Sequence, residues 1–119
     1  MRATIEAVAY QTYDLFEAMK HDGLRPKIVK VDGGMVMNNW FSQFLSDIVN
    51  VKVLRPKVQE TTALGAAFMA GLQIGVYKSL KDISKNWHLD KKFSPKMKNS
   101  VKNKLLKGWS TAIKKTLIN

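Results

Sequence analysis

The chain has 119 residues, a formal net charge of +11 and no cysteine. This length supports one modest hydrophobic core but not two. The absence of cysteine excludes disulfide bonds and a thiolate nucleophile or metal ligand. No apolar run is long enough to span a bilayer. Because a cysteine-free composition suits a reducing compartment, we expect a cytoplasmic protein.

The first predicted element is a helix that begins almost at Met1 and ends before Gly23, which is placed to be its C′ residue, with Pro26 beyond it. Helical spacing puts its apolar positions on one face. They are Ile5, Val8, Thr12, Leu15, Phe16 and Met19. Because this pattern starts at the first residues, we expect the chain to be a piece of a longer protein, either a natural truncation or a cut piece.

A strand, a glycine turn and a second helix follow between Lys27 and Ile48. β-Branched residues at positions 28, 29 and 31 indicate a buried strand. Asp32-Gly33-Gly34 ends it, since paired glycines permit a sharp reversal. Helical spacing then aligns one apolar stripe: Trp40, Phe41, Phe44, Leu45 and Ile48.

This turn has the geometry that brings backbone N–H groups to a phosphate or a nucleotide. Gly34 has no Cβ, so a ligand can approach its backbone closely. Asn38 carries both a donor and an acceptor that can bind a base edge or a ribose hydroxyl. The simpler alternative is a bare connection with Asn38 as a helix cap, and the spacing alone favours it. Neither the Rossmann nor the Walker glycine pattern is present.

A second strand is predicted from Val51 to Leu54, ended by Arg55 and Pro56 because proline cannot donate to a β-ladder. A helix from Glu60 to Gln73 follows, with small residues along one face. We expect that face to pack tightly on the sheet, and the alternative is that it borders a ligand cleft. Strands that alternate with helices in this way indicate an α/β fold with parallel pairing.

The last third differs in charge, because residues 75–119 carry a net charge of +10 and residues 1–74 only +1. One face of a helix can be drawn there through Val101, Leu105, Trp109, Ala112, Ile113 and Leu117. We interpret it as an amphipathic helix that covers the core with solvated lysines. An anionic membrane or a nucleic acid is the alternative partner. The cations are all lysine, which lacks the fork that arginine uses for specific contacts, so we expect no specific nucleic acid.

No catalytic or metal-binding constellation is predicted. His21 and His88 have no ligand neighbours at a suitable spacing. Ser42 and Ser46 are placed on the polar side of the second helix, and no histidine lies at a spacing that suggests a nucleophilic triad. Asp32 follows the first strand and is expected to cap or orient the turn.

Several stretches resemble the C-terminal part of the FGGY carbohydrate kinases. The Val-Asp-Gly-Gly turn with Asn38 and Asn39, the helix from Phe44, the strand from Val51 and the Glu60-Thr-Thr-Ala-Leu-Gly-Ala-Ala run occur in the family's order. The resemblance is close from residue 2 to residue 76 and loose thereafter. Gly108-Trp109, followed by Ala112-Ile113-Lys114-Lys115, resembles the family's last helix.

The resemblance implies the actin-like, ribonuclease H-like fold, with ATP bound between two lobes. Residues 1–76 would be part of the second lobe, and 77–119 a Lys-rich helical segment packed on the same domain. The backbone of Gly34 would lie by the phosphate and ribose, and the side chain of Asn38 by adenine. Gly33 would shape the turn.

The implied reaction is phosphoryl transfer from ATP with Mg²⁺ to glycerol, which gives glycerol 3-phosphate. The residues that bind glycerol and catalyse the transfer lie outside this chain, so we expect it to be inactive alone. A homo-oligomer is expected for the whole enzyme. The alternatives are a small basic binding module on a kinase-derived fold and a fragment of a kinase for another sugar.

Overall fold

A computed structural model describes residues 2–58 and 60–117. The elements are helix α1 (Arg2–His21), strand β1 (Ile28–Lys30), a 3-10 turn (Gly34–Met37), α2 (Asn39–Val49), β2 (Lys52–Pro56), α3 (Thr61–Gln73), α4 (Leu80–Ser84), β3 (Leu89–Phe93) and α5 (Asn99–Leu117). The predicted α/β order is confirmed. The short helix α4 and the strand β3 were not predicted.

The end of α1 agrees with the predicted glycine cap. Gly23 has φ +84°, its N–H donates to the carbonyl of Lys20, and the N–H of Leu24 donates to that of Met19. These two bonds form a Schellman motif, which needs a residue that tolerates the left-handed region. Leu15 does not belong to the buried face as expected, since 55% of it is exposed. The buried side of α1 instead includes Tyr10.

The described strands form one three-stranded sheet in the order β1-β2-β3. β1 pairs with β2 in parallel, as predicted. β3 pairs with β2 in the antiparallel direction, so β2 is the central strand. β2 extends two residues beyond the predicted end, through Arg55 to Pro56. A register shift between those two residues accommodates the proline there.

The core lies where α2 packs against α1 and the sheet. Ile48 on α2 and Val53 on β2 are fully buried within it. The expectation that Ser42 and Ser46 lie on a polar side of α2 is wrong, because both are also fully buried. Each hydroxyl donates to a backbone carbonyl, of Val36 at 2.8 Å and of Val51 at 2.7 Å. These bonds remove the cost of burying the hydroxyls.

The Lys-rich helix α5 lies against α1 through an aromatic contact. The Trp109 ring stacks on Tyr10 with centroids 5.4 Å apart, and its Nε1 donates to the Asp14 carboxylate at 2.7 Å. Most of its lysines are exposed. Of the predicted apolar face, however, only Leu105 and Trp109 pack against the core, whereas Val101, Ala112, Ile113 and Leu117 are exposed, so α5 covers the core less than expected. Within the described residues, no helix combines the length and the apolar character needed to cross a membrane.

The small-residue face of α3 does not pack on the sheet in this chain, contrary to our expectation. Ala63, Ala66, Ala67 and Ala70 are largely open to solvent. Gly71 alone is buried there, and a Cβ added to it would lie 2.9 Å from the Tyr77 ring. The alanine face of α3 is therefore exposed within the described residues.

Candidate functional site

The glycine turn, residues 32–38, follows the carboxyl end of β1. Gly33 has φ +87° and ψ 170°, a region that is essentially reserved for glycine. The chain reverses there and enters the 3-10 turn, in which the N–H of Val36 donates to the carbonyl of Gly33 at 3.3 Å. Gly33 is thus required by the backbone itself.

Gly34 differs from Gly33 in a way that matters for function. Its φ lies outside the left-handed region, and a Cβ added to it would meet no atom within 4 Å. Gly34 is also exposed. Neither backbone conformation nor packing within the chain therefore requires glycine at this position. A ligand that approaches the backbone closely would require it.

Asn38 is both the end of the 3-10 turn and the N-cap of α2. Its Oδ1 accepts from the N–H groups of Trp40 at 3.0 Å and Phe41 at 3.3 Å. The capping role considered from the sequence is therefore real. It uses the amide oxygen, while the exposed amide NH₂ remains chemically suited to donate to a ligand.

A small crevice of about 170 Å³ lies beside the glycine turn, at the carboxyl ends of β1 and β2. Asp32, Lys30 and Trp87 contribute to its lining. The hydroxyl of Thr61, the first residue of α3, donates to the Asp32 carboxylate. Asp32 thus joins the glycine turn to α3, which agrees with its expected orienting role. Ligands of open α/β sheets bind at this edge of parallel strands.

Arg55 is the residue of this site that was not predicted from the sequence. Only 8% of its side chain is exposed. Its Nη1 donates to the carbonyls of Val36 and Met37 and to the Oδ1 of Asn39, at 3.0 to 3.1 Å. Its Nε and Nη2 face the carboxylate of Asp90 on β3, at 2.8 and 2.7 Å. An arginine inside a buried strand was the available signal, because such a charge needs partners.

No group of three or more histidine, aspartate or glutamate side chains within residues 2–58 and 60–117 converges to hold a metal ion. The glycine turn offers a glycine backbone open to a ligand and a fixed amide side chain. The crevice beside it is lined by Lys30 and Asp32, and neither Gly34 nor Asn38 belongs to that lining.

The chain belongs to the FGGY family of carbohydrate kinases. Residues 1–74, more than half of the chain, match the model of the family's C-terminal domain. Its α/β fold is accordingly the C-terminal portion of the actin-like, ribonuclease H-like fold that solved sugar kinases share.

Within this family, the chain is similar to glycerol kinases. It is 50% identical to glycerol kinase 1 of Pseudomonas aeruginosa over 113 residues, and this alignment covers 95% of the chain. It is also 50% identical to the glycerol kinase of Gluconobacter oxydans over 117 residues, and this alignment covers 98% of the chain. The chain spans only 23% of the length of either relative.

Solved structures of sugar kinases share the fold over nearly the whole chain. A crystal structure of Plasmodium falciparum glycerol kinase with ADP matches with a TM-score of 0.82 and 36% identity, over 99% of this chain and 24% of that one. A ligand-bound xylulose kinase of Lactobacillus acidophilus matches with a TM-score of 0.77 and 25% identity, over 98% of this chain and 24% of that one.

Proposed function

We propose that this chain is the nucleotide-side end of the second lobe of a glycerol kinase. It contributes part of the site for ATP with Mg²⁺, and the whole enzyme phosphorylates glycerol to glycerol 3-phosphate. Gly34 carries the proposal, because it is a glycine that neither backbone conformation nor packing within the chain explains. The similar Plasmodium glycerol kinase was crystallised with ADP, which supports a nucleotide as the ligand.

The proposed contacts are those that the family resemblance implies, and the geometry of the glycine turn supports them. The exposed backbone at Gly34 lies by the phosphate and ribose, where a side chain would obstruct the nucleotide. The NH₂ group of Asn38 donates at the adenine end, while its oxygen caps α2 and fixes the amide. Gly33 makes the reversal that places these two groups on one short segment. Mg²⁺ arrives with the phosphates and neutralises their charge during transfer.

The exposed apolar side chains support the proposal that the rest of a kinase packs against this chain. Several large apolar side chains are more than 60% exposed: Leu24, Ile74, Val76, Leu80 and Leu117. These side chains and the open alanine face of α3 are apolar surface that another part of a protein could cover. We propose that the rest of the kinase covers it and supplies the catalytic base and the glycerol-binding residues.

We propose glycerol, rather than a sugar, as the substrate because this chain is more similar to glycerol kinases than to the xylulose and gluconate kinases of the family. Among the solved structures, the Plasmodium glycerol kinase is 36% identical to this chain, whereas the xylulose and gluconate kinases are 25% identical. We further propose a cytoplasmic enzyme, since the chain has no cysteine, and a homo-oligomer for the whole kinase, as expected from the resemblance.

The experiment that tests the nucleotide site is an amide ¹H–¹⁵N NMR titration of the chain with Mg·ATP. We expect shifts confined to Gly33, Gly34 and the first turn of α2, and no formation of glycerol 3-phosphate by the chain alone. Inorganic polyphosphate at low salt serves as the control. Shifts spread over the lysines of α5 that vanish steeply as salt rises would instead favour the basic binding module.

A substitution at Asn38 separates its capping role from its ligand role. Asn38→Ser retains a side-chain oxygen that can cap α2, so we expect the free energy of unfolding to change by less than about 0.5 kcal/mol. The variant lacks the NH₂ donor, so we expect Mg·ATP affinity to fall about fivefold. Urea unfolding and the NMR titration measure the two effects. Unchanged affinity would remove Asn38 from the nucleotide site.

A further inference from the structure

We propose that Arg55 is the positioning residue of the glycine turn, and that Asp90 on β3 orients Arg55 for this task. This inference rests on the proposed nucleotide site and adds two residues to it. Neither residue lies in the glycine turn, and Asp90 follows Arg55 by 35 positions in the chain. The proposal gives part of the Lys-rich third, through β3, a role in nucleotide recognition.

Arg55 contacts the glycine turn at its centre. Its Nη1 donates to two backbone carbonyls, Val36 at 3.0 Å and Met37 at 3.1 Å. Both residues lie between Gly34 and Asn38, the two proposed nucleotide contacts. A group that fixes these carbonyls therefore fixes the separation of the phosphate end of the site from its adenine end.

The glycine turn is held from two sides. The Val36 carbonyl also accepts from the buried Ser42 hydroxyl at 2.8 Å. A carbonyl oxygen has two lone pairs, and α2 and β2 each supply a donor to this one. The turn is thus preorganised before a ligand arrives, which lowers the entropic cost of binding.

The two adjacent asparagines divide two tasks. Asn38 uses its Oδ1 to cap α2, whereas Asn39 uses its Oδ1 to accept from Arg55 at 3.1 Å. Arg55 therefore contacts the residue next to the proposed adenine contact. A movement of the Arg55 side chain would therefore disturb the centre of the glycine turn and the residue that follows Asn38.

The charge of Arg55 is balanced by Asp90. A guanidinium with 8% exposure needs a negative partner, and the Asp90 carboxylate takes its Nε and Nη2. This pairing occupies one edge of the fork and leaves Nη1 directed at the turn. Lysine has a single ammonium group and cannot serve both edges in this planar geometry.

The test compares Arg55→Lys with Arg25→Lys in the full chain, since Arg25 is exposed and receives the same chemical change. In the nucleotide-free state, we expect the amides of Val36 and Asn38 to exchange with solvent at least about tenfold faster in Arg55→Lys. We expect the dissociation constant for Mg·ATP to rise about tenfold. Arg25→Lys should leave both quantities unchanged.

Asp90→Asn is the second variant, because the Asp90 side chain is 39% exposed and the substitution is nearly isosteric. We expect faster exchange at the same two amides and a roughly two- to fivefold weaker affinity for Mg·ATP. If Arg55→Lys does not fold, Asp90→Asn tests whether Arg55 positions the glycine turn. The inference is overturned if Arg55→Lys folds and loses stability while the exchange rates of Val36 and Asn38 and the affinity for Mg·ATP stay at wild-type values. If Arg55→Lys does not fold, the same result for Asp90→Asn overturns it.

The two proposals fail in different ways. If the wild-type chain shows no response to Mg·ATP, the nucleotide site is contradicted for the isolated chain. The exchange rates of Val36 and Asn38 need no nucleotide, so they still decide whether Arg55 positions the turn.

Discussion

Replacement of Gly34 by alanine is expected to weaken Mg·ATP binding by at least about tenfold, or about 1.4 kcal/mol, without loss of stability. The added methyl group meets no atom of the chain within 4 Å, so folding tolerates it. Alanine at a compatible backbone conformation usually stabilises by about 0.4–1 kcal/mol, because it restricts the unfolded chain. The same methyl group would occupy the space where the nucleotide approaches the backbone. Urea unfolding and the NMR titration with Mg·ATP measure the two effects.

Gly33→Ala is the matched control, one residue away and with the same added atoms. Gly33 has φ +87° and ψ 170°, so alanine there is strained by about 1–3 kcal/mol. We expect Gly33→Ala to lower both the free energy of unfolding and the affinity. A stable Gly34→Ala variant that binds Mg·ATP like the wild type would contradict the proposed contact. The pair thus distinguishes a glycine that the backbone needs from one that a ligand needs.

The different roles of Gly33 and Gly34 could not be predicted from the sequence. Asp-Gly-Gly after a β-branched run predicts the turn, because few residue pairs permit such a reversal. Which glycine has a positive φ depends on how the chain enters the 3-10 turn. The hydroxyl of Ser42 and the guanidinium of Arg55 hold the Val36 carbonyl of that turn from other elements. Local propensity contains no information about such contacts.

Most helices were predictable because their apolar residues recur at a period close to 3.6. β3 was missed for the opposite reason, since Leu89–Phe93 contains three charged residues and only Phe93 is buried. Its pairing with β2, rather than its own pattern, makes it a strand. Arg55 was predicted only to end β2, and its partner Asp90 lies on the strand that the pattern did not indicate.

The serines of α2 show how tertiary contacts override polarity. Ser42 and Ser46 were assigned to a solvent face, yet both lie in the core and donate to backbone carbonyls. Small hydroxyl residues fit where the backbone of another segment approaches a helix closely, and the hydrogen bond removes the burial cost. Such positions become visible only once the neighbouring carbonyl is known.

Replacement of Asp47 by alanine is expected to destabilise the chain by about 3 kcal/mol and to release its C-terminal third first. The Asp47 Oδ1 accepts from the N–H groups of Lys96 at 2.6 Å and Met97 at 3.1 Å, and from the Gln43 Nε2 at 3.1 Å. Asp47 is buried. Alanine would leave the two backbone N–H groups without this acceptor, at about 1–3 kcal/mol for each one that stays buried, whereas the Gln43 Nε2 keeps its bond to the Ser94 carbonyl at 2.8 Å.

This substitution also tests whether residues 77–119 pack on the same domain as residues 1–76, which stays a prediction. Asp47→Asn keeps an acceptor oxygen and should lose only about 1 kcal/mol, and the exposed Asp22→Ala should lose less than about 0.5 kcal/mol. Urea unfolding followed by tryptophan fluorescence gives these free energies, and amide exchange along α5 locates the release. If Asp47→Ala lost no more stability than Asp22→Ala, the hydrogen bonds from Lys96 and Met97 to Asp47 would not stabilise the packing of the C-terminal third. A separate early transition of α5 in the wild type would mean that the Lys-rich segment is a unit of its own.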